Sequence, residues 1–473
     1  MGFAKVHSGQ TRFLAGQIID IEIDLSRGLH AFSVVGLPDK AIEEARDRIS
    51  AAIKNSGFKS PKYKNQKVVI SLAPADVRKA GPAFDLAMAI GYLLAAEEIY
   101  FSPSEKLFLG ELSLDGRLRP IVGALAIVTE AKRLGFHEIF LPKENVVEAS
   151  LVDNVKIFGV SNLMDLVDHL DEKKKLVAEK KSGEKLFVEK FTKKEERRGR
   201  NFNSSDEIFL EEIKGQASAK RALEIAAAGG HNILFTGPPG TGKTMLAKTL
   251  KTLLPPLSFT EALEVANIHS IAGSTASTIT STSGSDSVSF FRERPFRSPH
   301  HTSSYVSLIG GSANPKPGEM TLAHHGVLFL DEFPEFDRRV IEALREPLEE
   351  HRVSISRIRG NIIFPAYFIL VAAMNPCPCG WRSSTNKKCI CSAKDRLRYS
   401  KKISGPILDR IDLRVEVGDV DFEKIRDRGE KITTETRARS ETTTETGTET
   451  EIARRKILAA RTRQFERQAK INA

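Results

Sequence analysis

Residues 231–244 read His-Asn-Ile-Leu-Phe-Thr-Gly-Pro-Pro-Gly-Thr-Gly-Lys-Thr. The apolar run from Ile233 to Thr236 predicts a short buried strand, and a helix is predicted to run through Met245–Lys248. A glycine-rich loop between a strand and a helix is typical of phosphate binding, because backbone N–H groups turn inward and the helix N-terminus adds partial positive charge. We therefore expect the loop residues to hold nucleotide phosphates: Gly237, Pro238, Pro239, Gly240, Thr241, Gly242, Lys243 and Thr244.

Four polar side chains are predicted to complete this site around ATP and Mg²⁺. Lys243 should reach the terminal phosphates, and the Thr244 hydroxyl should hold Mg²⁺. A second apolar strand, within Gly326–Phe333, ends in Asp331 and Glu332. A strand buried on both faces reads as a continuous apolar run, and its carboxyl end points at the nucleotide crevice. Asp331 is therefore predicted to hold Mg²⁺ through water, and Glu332 to polarise the water that attacks the γ-phosphate.

Two further segments resemble parts of the AAA+ ATPases. A predicted strand ends at Asn375, which stands where that family has its sensor-1 residue, a hydrogen-bond partner of the γ-phosphate or the lytic water. Gly405–Leu413 resembles the segment that carries the arginine finger, which would be Arg410. The resemblance implies that this arginine is inserted into the neighbouring subunit's site, so that the protein acts as a ring. A local ion pair of Arg410 with Asp409 or Asp412 remains the alternative.

The composition is ordinary for globular protein, with 473 residues, 41% hydrophobic and 28% charged, and a formal net charge of +10. A chain of this length is expected to hold two or three domains. The start, Met1–Val6, lacks the apolar core of a secretion signal, and no later run is long enough to span a bilayer, which predicts a cytoplasmic protein without membrane contact. The positive charge suits contact with a polyanion, although solubility alone accounts for much of it.

The N-terminal part alternates predicted strands and helices, which favours a mixed α+β fold. The predicted strands are Leu29–Val35, Lys67–Leu72 and Glu138–Pro142, the helices Ala41–Asn55, Phe84–Ala95 and Gly123–Leu134, and a hairpin is predicted at Gly110–Arg117.

Three stretches of this part resemble the proteolytic domain of Lon: Arg78–Asp85, Gly110–Pro120 and Ile139–Asn145. In that family a serine follows the Gly-Pro pair, and a lysine sits a few residues after the later Pro-Ile pair. Here Ala83 follows the first pair, and no lysine follows Ile121 before Lys132. Because the Ser–Lys mechanism needs both groups, we predict a Lon-like fold without peptidase activity, serving as a scaffold or a nucleic-acid contact.

Composition and motifs divide the chain into four parts. These are a Lon-like domain at 1–170, a charged linker at 171–205, a three-layer α/β P-loop core at 206–417, and a low-complexity segment with a basic amphipathic helix at 418–473. The linker alternates lysine and glutamate and has few aromatic residues, so it is predicted to be a solvated tether whose surplus charge could contact DNA phosphates.

All four cysteines lie in two tight pairs: Cys377 with Cys379, and Cys389 with Cys391. Four thiolates in two clusters can supply a closed tetrahedral Zn²⁺ site, although the spacing departs from the usual Cys-x₂-Cys pattern. Free thiols and a redox switch remain the alternatives.

Four motifs narrow the resemblance to the magnesium chelatase-like ATPases of the ComM/YifB family: Arg294–Thr302, Pro317–Gly326, Asn375–Gly380 and Ile403–Asp412. The Lon-like part in front also fits that family, since the chelatase I subunit proper lacks it. The resemblance implies an ATP hydrolase and DNA helicase that forms a homo-oligomeric ring, a hexamer, on single-stranded or branched DNA. It implies branch migration in recombination during natural transformation, the competence function of the family.

The stretch Ser270–Gly318 fits a DNA contact, because basic side chains neutralise phosphates and aromatic faces stack on bases. Its basic and aromatic members are Arg292, Arg294, Arg297, His300, His301, Phe290, Phe291, Phe296 and Tyr305. A hairpin is predicted at Gly310–Gly318, and in the resembled family such hairpins face the ring channel; a subunit-contact loop is the alternative. A shared ion on His300-His301 or His324-His325 is not expected, since adjacent residues on a strand point to opposite faces.

The C-terminal helix, predicted at Ile452–Gln464, would open a helical lid in the resembled family, and later lid helices carry a second sensor arginine. Because the chain stops at Ala473, we expect a reduced capacity for hydrolysis even where ATP binds. Two other functions stay open, a magnesium chelatase-type motor and an ATP-binding scaffold without turnover.

Overall fold

The computed structural model describes residues 2–63, 65–179, 207–273, 293–311, 315–357, 360–385, 387–419 and 447–471. The predictions for most of the linker, for Ser274–Arg292 and for residues 420–446 lie outside these ranges. The chain divides into two compact units. The first comprises Met1–Arg200 and Phe259–Phe291, and the second comprises Asn201–Ser258 and Arg292–Ala473.

The first unit contains ten strands among the described residues, and eight of them form a mixed sheet. Its strands are β1 (Gly2–Arg12), β2 (Ala15–Arg27), β3 (Ala31–Val35), β4 (Gln66–Ala73), β5 (Lys106–Phe108), β6 (Glu111–Leu112), β7 (Leu118–Arg119), β8 (Glu138–Pro142), β9 (Lys156–Val160) and β10 (Ala178–Glu179). In the part of the chain described, eight of them pair in the order β10-β9-β8-β5-β1-β2-β4-β3, and β6 pairs with β7 in a separate hairpin. The short β10 pairs antiparallel with β9, so residues 178–179 of the predicted tether are part of this sheet.

Sequence reasoning missed the long antiparallel pair β1–β2 near the middle of this sheet. In β1, three consecutive residues that are not apolar are buried, which hides the alternation of a half-buried strand: Ser8, Gly9 and Gln10. The Ser8 hydroxyl donates to the Phe108 carbonyl at 2.8 Å, and the Gln10 amide donates to the Arg78 carbonyl at 3.2 Å. Burial of these polar groups is therefore supported by bonds to distant parts of the chain.

Five helices of the first unit precede residue 171. They are α1 (Lys40–Asn55), α2 (Asp85–Ala95), α3 (Ala124–Arg133), α4 (Val146–Ala149) and α5 (Leu163–Leu170). The predicted bounds of α1, α2 and α3 are confirmed to within one residue at each end. Helix α1 begins where Asp39 accepts a hydrogen bond from the Ile42 amide at 3.0 Å, which is an N-cap interaction.

Strands β5, β8 and β9 are buried on both faces. Leu107, Ile139 and Ile157 point into a core shared with α3. The next residues along each strand, Phe108, Phe140 and Phe158, point into the core shared with α1, α2 and α5, where their rings stack at centroid distances of 5.2 and 4.8 Å. Continuous apolar runs in these strands follow from having a core on each side.

The second unit contains nine strands in the part of the chain described, and five of them form a parallel sheet. Its strands are β11 (Ile233–Thr236), β12 (Phe296–Arg297), β13 (Gly310–Gly311), β14 (Lys316–Pro317), β15 (Val327–Leu330), β16 (Arg352–Arg357), β17 (Gly360–Pro365), β18 (Ile369–Met374) and β19 (Leu413–Glu416). Among the described residues the sheet order is β12-β15-β18-β11-β19, and β13–β14 and β16–β17 form two hairpins. The predicted fold class, a parallel-sheet α/β unit behind an α+β unit, is confirmed.

Helices surround this sheet and connect its strands. They are α6 (Ala217–Gly229), α7 (Lys243–Leu253), α9 (Tyr305–Ile309), α10 (Glu319–Leu322), α11 (Arg338–Ala343), α12 (Arg345–Glu350), α13 (Ala393–Ser400), α14 (Gly405–Leu408) and α15 (Glu449–Ile471).

The helix that follows α7, α8 (Phe259–Ala272), belongs to the first unit, although the sequence places it within the P-loop core. Ala266 of α8 is buried in one cluster with Leu125 of α3 and Leu151. The Asn267 amide donates to the Leu14 carbonyl at 2.9 Å. The chain of the second unit is thus interrupted by a segment whose apolar face is buried in the first.

The C-terminal helix α15 packs on α6 and α7 through Ala453 and Ile457, one turn apart and both buried. Two of its arginines cap helix ends, since Arg454 donates to the Thr252 carbonyl at 2.6 Å and Arg461 donates to the Ala227 carbonyl at 2.7 Å. The predicted amphipathic helix is confirmed and is longer than expected. No helix in the described ranges has the length and apolarity needed to cross a bilayer.

A buried ion pair joins α1 to α2. The Asp85 side chain is fully buried and accepts from Arg48 Nε at 2.9 Å and from Arg48 Nη2 at 3.2 Å. Burial raises the pKa of Asp85 to about 6, while the Arg48 guanidinium and the Leu112 amide oppose that rise. Desolvation therefore outweighs the pairing for this carboxyl group.

The Arg48→Gln variant should lose about 3–5 kcal/mol of local stability at pH 8, because it leaves the Asp85 carboxylate buried without a cation. The loss should shrink as the pH falls through 6, since the carboxyl group then takes up a proton and the buried charge disappears. Hydrogen exchange of peptides from α1 and α2 at pH 8 and pH 5 measures both values. Arg46→Gln, at an exposed position on the same helix, is the control, and an equal loss at both pH values would contradict the argument.

Candidate nucleotide site

The parallel pairing of three strands brings the predicted site residues to one edge of the sheet. In register, Thr236 of β11 faces Met374 of β18, and Leu330 of β15 faces Ala372. The phosphate loop, Asp331 and Asn375 each follow directly at the carboxyl end of one of these strands. The sheet therefore presents them side by side, as expected for ligand sites of open parallel sheets.

The phosphate loop has the backbone that its glycines were predicted to allow. Gly240 and Gly242 have φ values of 79° and 85°, and a Cβ atom at either would meet open space. Gly237 is constrained differently, because a Cβ there would lie 2.1 Å from the Val417 carbonyl oxygen. Gly237 is thus tightly packed where the loop leaves β11, whereas Gly240 and Gly242 border open space just before the N-terminus of helix α7.

Lys243 is buried at the first turn of α7 and bonds to neutral oxygens of the loop. Its ammonium donates to the Gly237 and Pro238 carbonyls at 2.8 Å each, and lies 3.4 Å from Asn375 Oδ1. Burial lowers its pKa, and the nearby Asp331 charge opposes that shift. An anion placed here would offset the desolvation of the ammonium, so a phosphate group suits this position.

Thr244 and Asp331 lie together, with the hydroxyl donating to Asp331 Oδ2 at 3.1 Å. Both are oxygen ligands on partly exposed positions, which is the donor set that Mg²⁺ prefers. The residues present therefore fit the ion that the loop motif implies.

Glu332 adopts a left-handed backbone conformation, with φ of 51°. Its amide donates to Asp331 Oδ1 at 2.9 Å, and its carboxylate lies 3.0 Å from His301 Nδ1. The side chain is half exposed. Strained backbone at a position of this kind is typical of functional sites, where the surrounding contacts hold it.

His301 is a site residue that sequence reasoning missed, because it was grouped with the DNA-contact stretch. No local signal connects it to Glu332, which lies more than thirty positions away in the sequence. Its neighbour His300 bonds instead to the Thr302 hydroxyl at 2.8 Å. The different partners of His300 and His301 are apparent only in the folded structure.

Asn375 lies against the lysine of the loop, as the sequence predicts for a residue at this strand end. Besides the contact of its Oδ1 with Lys243, its backbone amide hydrogen-bonds the buried Tyr399 hydroxyl. Burial raises the pKa of Tyr399 to about 12, so this phenol stays neutral at physiological pH. The Asn375 side chain thus lies beside Lys243, the residue that is predicted to reach the terminal phosphates.

Arg410 is held by neither of the aspartates that sequence reasoning considered. Its guanidinium contacts Glu349 of α12 and donates to the Pro406 carbonyl at 2.7 Å. Asp412 accepts instead from the Asn232 amide at 2.8 Å. Within the described residues, the structure does not bring Arg410 to the phosphate loop, so its assignment as an arginine finger stays a prediction.

Several basic and aromatic residues of the predicted DNA-contact stretch are used inside the second unit. Arg297 makes two bonds with the Glu319 carboxylate, at 2.6 and 2.8 Å. Arg294 donates to the Pro255 and His325 carbonyls. Phe296 stacks on Phe329 in the core. The three residues have structural partners, while Arg292, Phe290 and Phe291 lie outside the described residues.

The two pairs of adjacent histidines do not have the strand geometry that the sequence analysis assumed. His300-His301 and His324-His325 lie in turns, not on strands, and their ring centroids are 4.2 and 4.0 Å apart. Adjacent side chains therefore face the same direction here.

Two hairpins lie in the chain segments that connect β11, β15 and β18. The predicted one is present as β13 and β14, with residues 312–314 outside the description. Sequence reasoning missed the longer β16–β17 hairpin, whose inward residues are Val353, Ile355, Ile362 and Phe364. Polar and apolar residues alternate in Arg352–Arg357, which the sequence shows, but the exposed Ile363 hides the same alternation in β17.

The first unit carries a methyl group at Ala83, where the resembled proteases carry a hydroxyl nucleophile. The Ala83 carbonyl accepts from the Gly110 amide at 3.0 Å, which ties the two Lon-like motifs together.

Two family models match this chain. Residues 209–425 match the family model described as magnesium chelatase, subunit ChlI, and residues 21–145 match the model described as subunit ChlI of Mg-chelatase. A chelatase-named model thus also covers the front part, so that part does not separate the chain from the chelatase subunits as sequence reasoning assumed. The family implies a nucleotide and Mg²⁺ as ligands.

Three relatives show the extent of the similarity. Competence protein ComM of Haemophilus influenzae is 39% identical over 476 residues, which span 100% of this chain and 85% of that protein. The uncharacterized protein YifB of Escherichia coli is 39% identical over 475 residues, 100% of this chain and 84% of that protein. Lon protease 2 of Thermus thermophilus is 29% identical over 163 residues, 34% of this chain and 20% of the protease. The chain belongs to the ComM/YifB family of magnesium chelatase-like AAA+ proteins.

Proposed function

We propose that this chain is an ATP-driven motor that forms a homo-oligomeric ring, a hexamer, and moves single-stranded or branched DNA. Its role is helicase-type branch migration in recombination during natural transformation, with the first unit as a non-catalytic accessory. The observation that carries the ATPase part is the convergence of Lys243, Thr244, Asp331 and Asn375 at the ends of three adjacent parallel strands. The competence role of the Haemophilus relative supports the DNA part.

Each side chain at this edge has a distinct task in the proposed hydrolysis. Lys243 binds the terminal phosphates. Its ammonium is buried and bonded to the neutral Gly237 and Pro238 carbonyl oxygens, so a negatively charged phosphate would stabilise it. Thr244 and Asp331 hold Mg²⁺, which when bound neutralises charge on the phosphate oxygens. These residues act by positioning and by electrostatic stabilisation, which are the main contributions to phosphoryl transfer.

Glu332 is the proposed general base that orients the attacking water. It follows Asp331 directly, so its strained backbone directs the two carboxylates to different tasks. His301 orients Glu332 through the 3.0 Å contact. Asn375 donates its amide hydrogens to the γ-phosphate or the water.

Arg410 completes the site of a neighbouring subunit in this proposal. In its own chain it contacts Glu349, and its Nε atom is buried with no partner in the described residues. The Arg410 side chain as a whole is 27% exposed, and a guanidinium at an interface can bind a phosphate through two parallel hydrogen bonds. In this proposal Arg410 stabilises the transition state in the site of a neighbouring subunit, so hydrolysis requires that the subunits assemble into a ring.

Two other functions have specific support. A chelatase-type motor is favoured by the names of both matching family models. A nucleotide-binding scaffold without turnover is favoured by the half-exposed Glu332, which bonds to His301 rather than facing the loop. DNA-dependence of hydrolysis separates the first from the proposed motor, and turnover separates the second.

The decisive measurement is ATP hydrolysis with and without single-stranded DNA, for the parent chain and Lys243→Ala. DNA should stimulate turnover, and the variant should lose it. Its ATP affinity should fall about 10- to 100-fold, because charge-assisted hydrogen bonds of about 1.5–3 kcal/mol are lost. Lys248→Ala on the same helix is the matched control and should behave like the parent. Hydrolysis that ignores DNA would favour the chelatase-type motor, and binding without hydrolysis would favour the scaffold.

His301→Ala should lower kcat about 10-fold and leave KM for ATP nearly unchanged, because one hydrogen bond that orients Glu332 is lost. His301→Asn should restore part of the rate, since its amide can donate from a position close to that of Nδ1. His300→Ala, which removes the neighbouring ring bonded to Thr302, is the control. A parallel rise in KM, or no rescue by asparagine, would show that His301 only supports the local fold.

Arg410→Ala and Glu332→Gln should each abolish hydrolysis alone, and mixtures of the two chains should recover part of it. In a mixed ring, an Arg410→Ala subunit offers an intact Glu332, and its Glu332→Gln neighbour supplies the arginine. The measurement is ATPase rate against mixing ratio, with mixed assembly checked by differently tagged chains. Mixed rings without any recovery would overturn the assignment of Arg410.

A further inference from the structure

The four cysteines of the second unit converge to one point. Cys377 follows β18 closely and is buried, while the other three are partly exposed on the segment that leads to α13. The Sγ atoms of Cys377, Cys379 and Cys389 lie 3.4 to 3.7 Å apart, and that of Cys391 lies within 4.8 Å of all three. Sequence spacing alone could not establish this convergence.

The separations fit ligands of one tetrahedral ion. Four sulfurs at about 2.3 Å from a central zinc stand about 3.8 Å from each other. Each of the three closest sulfurs has two others at nearly equal distance, whereas two disulfides would join the sulfurs in pairs. The geometry is that of a cluster around a centre.

Backbone amides hydrogen-bond three of the four sulfurs. The amides of Trp381 and Ile390 hydrogen-bond the sulfur of Cys379. The Cys391 amide bonds the sulfur of Cys389, and the Cys379 amide bonds the sulfur of Cys391. Outer hydrogen bonds of this kind orient metal ligands.

The loop between the two pairs is folded by contacts of its own. The Lys387 ammonium lies 4.5 Å from the centre of the Trp381 ring. Asp419, beyond β19, accepts from the Ser384 hydroxyl at 2.7 Å and the Thr385 amide at 2.9 Å. These contacts bring Cys389 and Cys391 close to Cys377 and Cys379. The four proposed metal ligands are therefore already close together in the folded chain.

The cluster adjoins the nucleotide site. Cys377 is two residues beyond Asn375, which contacts Lys243. Gly380, at φ of 82°, packs so closely on the phosphate loop that a Cβ would lie 2.9 Å from the Pro239 ring. The segment that carries the cysteines therefore contacts both the strand end and the loop.

We propose that Cys377, Cys379, Cys389 and Cys391 bind one zinc ion in a closed tetrahedral site, and that the ion holds Asn375 and the phosphate loop in their binding arrangement. A site with four protein thiolates has no open position, so its role is structural. The second half of the inference rests on the proposed nucleotide function, while the first half does not.

Metal analysis of the full chain, purified under reducing conditions with zinc present, tests the site. One zinc per chain is expected, and exchange with cobalt should give the visible bands of a tetrahedral thiolate complex. Cys389→Ser and Cys391→Ser should lose most of the zinc, and Ser383→Ala, at an exposed position on the same loop, should keep it. Four titratable thiols without metal, a disulfide in the reduced preparation, or stoichiometric iron would each overturn the zinc site.

Reversible zinc removal from the parent chain keeps the test independent of misfolded variants. A chelator should weaken binding of a fluorescent ATP analogue several-fold, and added zinc should restore it, with circular dichroism confirming that the fold persists. Zinc present but without effect on nucleotide affinity would overturn the coupling alone. Zinc bound to a chain that binds no nucleotide would refute the proposed function and leave the metal site standing.

Discussion

The arrangement of the second unit depends on the parallel pairing of β15, β18 and β11 in one register. This pairing sets Leu330 beside Ala372 and Thr236 beside Met374, so three chain segments leave the sheet at the same edge. A shift of one residue in any strand would turn its apolar side chains around and move the polar residue that follows it. The core on both faces of the sheet is therefore what holds the proposed nucleotide-binding residues in position.

Burial also determines what these polar residues can do. Lys243 is the buried cation of the loop, and its pKa is lowered because burial removes the ammonium from water, although the Asp331 charge opposes that shift. Glu332 holds a strained backbone conformation two residues beyond a strand that is buried throughout. A rigid strand followed by a strained residue separates the two adjacent carboxylates, so that one faces Thr244 and the other faces His301. Such strain persists only where the surrounding structure determines it.

The parts that sequence reasoning predicted are those that local pattern controls. The strand Ile233–Thr236, the loop after it and the ends of α1, α2 and α3 follow from apolar periodicity, glycine positions and caps. The contacts between Lys243 and Asn375 and between Thr244 and Asp331 follow from the rule that parallel strands share an edge.

What sequence reasoning missed depends on partners distant in the chain. Helix α8 belongs to the first unit because Ala266 fits a cluster with Leu125 and Leu151, and nothing within α8 itself predicts that cluster. Arg297 was expected to meet phosphates, but Glu319 supplies the carboxylate that it binds. Whether an exposed-looking basic residue is free for a ligand is decided by the fold and not by its own sequence neighbours.

The segment that carries the cysteines shows how the chain beyond the end of β18 can be held in position where its backbone no longer pairs with a neighbouring strand. Between Met374 and Ala393, no described residue belongs to a strand or a helix, so no ladder of backbone hydrogen bonds constrains the path of the chain. Nevertheless Gly380 must stay within contact of Pro239 for the loop to keep its shape. A cross-link of side chains is the remaining means of holding such a segment, and thiolates two residues apart can meet at one ion without regular structure between them. The position of the cluster, just after Asn375, is where a cross-link stiffens the nucleotide edge most directly.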